Sequence, residues 1–353
     1  MDLSIIVPAY KPGRHLQGFL ERLKIIDEML RDNRIQAELI FVHNGSSDSL
    51  IWQFPEFKSI SLNYQHSTAR LTPSQARNVG LELSQGLYIL FHDMDDMLHI
   101  DFPSTFSQLL WTTHESRQRY DLTIFNYRKI RRGAPEVIDH GMGRESCHLD
   151  NQAVENYVDA YILEPHKYTL FVHCWSKLYL RSFLMQNHLR FKADLEQLED
   201  VNFNFRLLAC HPSVYYSTNL CYDYTVSAEG ASLSTQSGAK GRQDIKNTIK
   251  ALLAVKALLQ NHFLSKLEVR SRMGHLYATI FVLWILRVGK RIKDIRVLHA
   301  IIKSYIQSHA VQNAMIYYKR MPGTSWIIPR LVMWKLSTPL TMILVIKNRK
   351  EFP

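Results

Sequence analysis

Cysteine is scarce: Cys147, Cys174, Cys210 and Cys221 are the four in 353 residues, with no CxxC pair and no zinc-ligand spacing. A disulfide framework and a cysteine zinc site are therefore excluded as organising devices, and the four read as reduced packing thiols. A basic leader is missing as well. Asp2 stands where a signal peptide is positive, and Ser4-Ile5-Ile6-Val7 runs straight into a strand pattern ended by Pro8, so a cytoplasmic protein is expected. No apolar run is both long and clean enough to span a bilayer. Leu276–Val288 is too short, and 324–346 carries Arg330, Lys335, Pro329 and Pro339, with each charge near mid-bilayer costing roughly 2.5–3.5 kcal/mol. There is no internal repeat, and no nucleic-acid module or basic face interleaved with aromatics, so nucleic acid is not an expected partner. Acidic residues almost vanish near the end. From Lys240 on, 21 Lys and Arg face 4 Asp and Glu, a net +17, whereas the residues before it net −6. Two regions with different partners follow from that asymmetry.

The acidic side chains concentrate instead in Tyr88–Met97, YILFHDMDDM. A short unbroken apolar run, as in a buried strand, stops on Asp93, Asp95 and Asp96. Clustered carboxylates repel one another unless a cation or hydrogen bonds offset them. On an extended chain Asp93 and Asp95 share a face while Asp96 points elsewhere or caps a helix. Oxygen-only ligands suit Mg²⁺ or Mn²⁺, which also binds substrate phosphates; a solvated acidic turn is the plainer alternative. Around this stretch, 3–8 and 37–42 read as buried strands joined by a helix over 14–31, a βαβ unit whose ligand crevice lies beyond the strand C-terminal ends. Thr72 and Gln75 form a capping-box pattern with Pro73 at the first helical position, and Gly86 reads as the helix C-terminal cap. Residues 121–127 read as a strand, 128–150 as loop, 172–179 as a strand into a turn, and 195–210 as a helix opening at Glu199-Asp200. The Gly/Ser/Thr-rich 225–243 reads as a mobile linker, followed by helices over 244–262, 264–288, 294–319 and 324–347.

In chain order, SIIVPAYKPGRHL, FVHNGSSD (41–48), SQARNVGLELSQGLYILFHDMDD (74–96), CWSKLYLRSFL (174–184), LEDVNFNFRL (198–207) and YDYTVSAEGASLS (222–234) resemble six motifs of the family 2 glycosyltransferases. The resemblance covers about residues 3 to 234. It implies an α/β GT-A (Rossmann-like) fold with a mixed, mainly parallel sheet flanked by helices, followed here by a basic helical C-terminal region. The expected domains are 1–225 catalytic, 226–243 linker and 244–353 helical. It also implies an inverting transfer of sugar from a nucleotide-diphosphate sugar, UDP-sugar by default, to a saccharide acceptor hydroxyl in bacterial surface-polysaccharide synthesis.

By position the resemblance gives Asp95, with Asp93 or Asp96, the divalent metal (Mn²⁺ or Mg²⁺). Pro8, Ala9, Tyr10, Asn44, Asp48, Arg77, Asp93 and Met94 are donor contacts, Asp200 is the base beside Glu199, and Trp175 and Lys177 are acceptor contacts. The chain departs from the family pattern at His43-Asn44, where Asp-Asp is common, at Lys11, and at Thr225, leaving Lys240, Arg242 or no residue to cover the phosphates. Beyond the core, 324–346 fits an interfacial helix pair with apolar groups and Trp on one side and Lys and Arg on the other. An anionic membrane surface, the inner face of the cell membrane, is the expected partner, with a lipid-linked acceptor. Packing on a twin subunit is the alternative for the tail, and an inactive scaffold the alternative for the core.

Overall fold

The computed structural model describes all residues except 11, 13–14, 46–53, 117–118, 132, 138–139, 141, 166, 227–240, 263–265, 321–324 and 351–353. Lys11, Asp48, Lys240 and most of the expected linker thus lie outside the described residues, as does the side chain of Arg242. The chain divides into two compact units, residues 1–155 with 169–230, and residues 156–168 with 231–353.

The first unit opens on β1 (Leu3–Tyr10), α1 (His15–Asp32), β2 (Ala37–Asn44) and β3 (Ile60–Ser67), then α2 (Pro73–Leu83), β4 (Tyr88–Phe91), β5 (Met97–Leu98) and α3 (Phe102–Ser116). It continues through β6 (Leu122–Arg131), β7 (Ala134–Val137), β8 (Cys147–Leu149), α4 (Asn151–Leu163), whose last turns belong to the second unit, β9 (Lys177–Leu180), α5 (Arg181–Gln186), α6 (Glu199–Leu208) and β10 (Val214–Val226). The ten strands make one sheet in the order β3-β2-β1-β4-β9-β6-β10-β5, with β7 beside β6 and β8 beside β10. Its long ladders are parallel, and β9 is antiparallel to both β4 and β6. The chain reverses direction across the sheet between β1 and β4, so their C-terminal ends flank a crevice.

The apolar stripe on α1 and the eight buried positions of β2 build the core under this crevice. Two buried carboxylates brace it. Asp27 accepts backbone N–H groups of Lys58, Ser59 and Ile60 at 2.7–2.9 Å, fixing the start of β3. Glu38 accepts from the Ser4 hydroxyl (2.5 Å) and the Gln85 N–H (2.6 Å), fixing the approach to β4. Gly86 is therefore no helix cap: Ser84 holds that position, and a Cβ on Gly86 would lie 2.5 Å from the Ser4 nitrogen. Close backbone approach requires the glycine there.

Gly80 allows the same closeness between α2 and β1, since a Cβ would meet Ile6 Cγ2 at 2.2 Å. Gly80→Ala is expected to destabilise by about 1–3 kcal/mol through overpacking, outweighing the alanine's helix preference of about 1 kcal/mol. An unchanged urea midpoint would show that the helix shifts at no cost.

Other differences from the sequence pattern are local. The region 128–150 holds the end of β6 and two short strands, not a loop. Residues 172–176 turn before β9 begins, reversing the expected strand-then-turn.

The second unit comprises α7 (Gly241–His262), α8 (Lys266–Arg291), α9 (Ile295–Ile306), α10 (His309–Met315), α11 (Ile327–Met333) and α12 (Ser337–Lys350). Phe281, Ile285, Ile302, Tyr305, Met315, Val332 and Leu344 are among its core residues, with Trp284 stacked 4.0 Å from Tyr305. The expected single helix over 324–347 breaks after α11, where Lys335 takes a left-handed φ of 57°. Among the described residues no helix is long and apolar enough to cross a membrane.

Candidate active site

The acidic segment does not continue as a strand after Phe91. It folds into a turn closed by the Asp96 N–H on the Asp93 carbonyl (3.1 Å), so the alternation of an extended chain does not apply and its three carboxylates meet different surroundings. Asp95 is exposed. Asp96 is buried and turned inward, accepting the Tyr222 hydroxyl and the Thr225 N–H, each at 2.8 Å. Burial, then the neighbouring Asp93 and Asp95, raise its proton affinity well above the carboxylate norm. Asp96 thus pins the turn to β10. Tyr222 serves both sides of the turn, also accepting the Asp93 N–H at 3.2 Å.

Asp93 is engaged by Arg77 of α2. The capping box predicted for this helix is present, with Pro73 in its first turn, and the helix presents Ser74, Arg77 and Asn78 to the segment 190–199. Asn78 brackets the Phe191 backbone, donating to its carbonyl and accepting its N–H, both at 2.8 Å. The Ser74 hydroxyl donates to the Leu195 carbonyl at 3.1 Å. Between these anchors the Arg77 guanidinium lies 5.4 Å over the Phe191 ring. It donates to Asp93 at 3.0 Å and to Glu199 at 3.2 Å. Only 5 % of its side chain is exposed. Arg77, expected to face the nucleotide, is engaged here by two carboxylates.

That bridge brings the β4 turn and the start of α6 together. Glu199 and Asp200 open α6 after Leu198, itself in the left-handed region at φ 52°. Burial first, then the adjacent Asp200 carboxylate, push Glu199 up to about 8 against the opposing pull of Arg77. Farther along α6, Asn204 donates to the Val172 and His173 carbonyls at 3.1 and 3.0 Å and accepts the Tyr179 hydroxyl at 2.9 Å. These contacts seat the helix on the 172–180 turn and strand.

The remaining expected residues separate. Asn44 is buried, donating toward the Ala9 carbonyl (3.5 Å) and accepting the Leu71 N–H (3.2 Å). It ties the ends of β1 and β2 to the entry of α2. Pro8 and Tyr10 are partly exposed at the end of β1 and Ala9 is buried; Arg70 lies 5.3 Å over the Tyr10 ring. Met94 packs into the core. The expected acceptor contacts Trp175 and Lys177 are both buried. Trp175 is 3 % exposed, stacked on His173, Tyr222 and Tyr224 at 4.4, 4.8 and 5.1 Å, with Tyr127 meeting it at a right angle. Lys177 is buried, its ammonium donating to the His173 carbonyl at 2.5 Å, and desolvation lowers it to about 7. Asn78, Asn204 and Tyr222 were missed as site-shaping residues; the motifs contain them, but a lone amide or phenol carries no pattern that tells a clamp from a loop contact.

Among the described residues no three His, Cys, Asp or Glu side chains converge as a ready metal cage. Exposed Asp95 beside Asp93 fits a hard cation taken up together with substrate phosphates.

The family model for Glycosyl transferase family 2 matches residues 4–110. Over 228 residues the chain is 28 % identical to EpsH of Bacillus subtilis, covering 64 % of this chain and 60 % of EpsH. It is 25 % identical over 228 residues to the glycosyltransferase GlyA of Streptococcus pneumoniae, covering 64 % of this chain and 30 % of GlyA. The chain thus spans less than two thirds of either relative. The crystal structure of Staphylococcus aureus TarS 1–349 in complex with UDP-GlcNAc superposes with a TM-score of 0.60 at 14 % identity, covering 99 % of this chain and 92 % of that one. The sheet order is that of the GT-A fold seen in TarS, and residues 4–110 of this chain match the Glycosyl transferase family 2 model.

Proposed function

We propose that the protein transfers a sugar, with inversion, from a nucleotide-diphosphate sugar to a hydroxyl of a saccharide acceptor in bacterial surface-polysaccharide synthesis. The observation that carries this reading is the Arg77 bridge, which joins the acidic turn after β4 to the carboxylate pair opening α6. A UDP-sugar is the favoured donor, because the similar TarS fold was crystallised with UDP-GlcNAc. A polymer hydroxyl is the favoured acceptor, because TarS is named a poly(ribitol-phosphate) β-N-acetylglucosaminyltransferase.

In this reading Asp200 accepts the proton of the attacking hydroxyl, which displaces the nucleotide diphosphate from the opposite face of the anomeric carbon. Arg77 keeps Glu199 and Asp93 in place while charge moves. A divalent cation, Mn²⁺ or Mg²⁺ held by Asp95 with Asp93, would offset the charge building on the departing diphosphate.

The test is titration of UDP into the protein with and without Mn²⁺. Asp95→Ala is expected to weaken Mn²⁺-dependent UDP binding by roughly tenfold or more and to leave metal-free binding unchanged. Undiminished binding would move the cation, and with it the donor diphosphate, away from this turn.

A further inference from the structure

The basic helical unit carries a surface that its own packing does not use. Helix α11 turns Ile328, Leu331 and Val332 into the core. A helix meeting only water on its other side should be polar there. Instead Trp326 (53 % exposed), Ile327, Arg330, Met333 (45 %) and Trp334 (62 %) fall on that side at helical spacing. Arg330 lies 5.1 Å over the Trp326 ring. Tyr318, Arg320, Trp326, Pro329, Arg330 and Met333 line a concavity of about 490 Å³. The stretch that builds it is basic. Between Asp294 and Glu351 the chain holds nine Lys and Arg and no acidic residue, and Lys319, Arg320, Arg330 and Lys335 are all exposed.

We infer that this face docks on an anionic lipid bilayer, with both indoles and Met333 in the headgroup–acyl boundary and the guanidinium groups against lipid phosphates. Indoles favour that boundary because one end of the ring is apolar and the other hydrogen-bonds. With no spanning helix among the described residues, the contact lies in the plane of the interface. A second copy of the chain fits poorly, because an isologous contact would set the basic residues of this stretch against one another. Nucleic acid fits poorly too, since exposed Ile327, Met333 and Leu336 offer nothing to phosphates or base edges. The inference is independent of sugar transfer, and its test reads no turnover.

The full chain is mixed with phosphatidylcholine vesicles, alone or with about a third phosphatidylglycerol, and followed by flotation and tryptophan emission. Binding is expected only with phosphatidylglycerol, with a blue shift, and weakening as salt screens the charges. Trp326→Ala with Trp334→Ala is expected to weaken partitioning at least about tenfold. Arg330→Gln with Lys335→Gln, both at exposed positions that leave the core untouched, is expected to weaken it roughly fivefold per charge. Overturning results are no binding to anionic vesicles, equal binding by the charge variant, salt-sensitive duplex RNA or DNA binding lost in the same variants, or dimerisation lost in them.

Discussion

Asp200→Asn is expected to lower sugar transfer by about 10²–10⁴-fold, the usual worth of a positioned base. Thermal midpoint and UDP affinity should stay near wild type. The asparagine keeps the size and can still hydrogen-bond, but it cannot take a proton. In the proposed reaction the choice of Asp200 over Glu199 as base follows from the state of its neighbour. With burial and Asp200 holding Glu199 up to about 8, Glu199 keeps its proton at neutral pH and is the poorer choice to accept one. The measurement is UDP released from a UDP-sugar in the presence of a polysaccharide acceptor fraction. Turnover within a few-fold of wild type would place the base elsewhere.

Arg77→Met is expected to have the largest effect on stability. It leaves the partly exposed Asp93 carboxylate without its cation and the nearly buried Glu199 without its donor, and losing hydrogen bonds to a charged group costs about 1.5–3 kcal/mol. For a chain of this size that lowers the thermal midpoint by on the order of 3–12 °C. The pH dependence identifies the cause. Glu199 is raised above its unfolded value, so its contribution is complete below that value and is lost as pH rises through about 8. Arg77 opposes that rise, so the variant should lose stability more steeply with increasing pH, and its deficit should shrink toward pH 5. A midpoint within about 2 °C of wild type at neutral pH would mean that the two ion pairs contribute little.

Much of the sheet was legible because its signals are local. The apolar runs of β1, β2 and β4 and the Thr72–Gln75 box need no tertiary information. Glu199-Asp200 at a helix start was equally plain. The fates of the individual carboxylates were not legible, because they depend on partners distant in sequence. Asp96 turns inward only because Tyr222 and Thr225 wait for it. Arg77 looked like an anion receptor because its carboxylates, Asp93 and Glu199, lie 16 and 122 residues away. Trp175 could be read as a sugar platform until the aromatic rings of β10 covered it. The strands in 128–150 escaped because polar edge strands lack the apolar alternation that marks buried ones. The break after α11 was hidden for the same kind of reason: a left-handed lysine leaves no trace in hydrophobic periodicity.

The single guanidinium shared by two loops also limits how this sequence can drift. Because Arg77 touches both acids, the energetic effect of replacing any one of the three depends on the state of the other two, and the separate losses will not add. Neutral exchange at these positions therefore has to pass through paired changes, so a departure at one of them marks compensation at another.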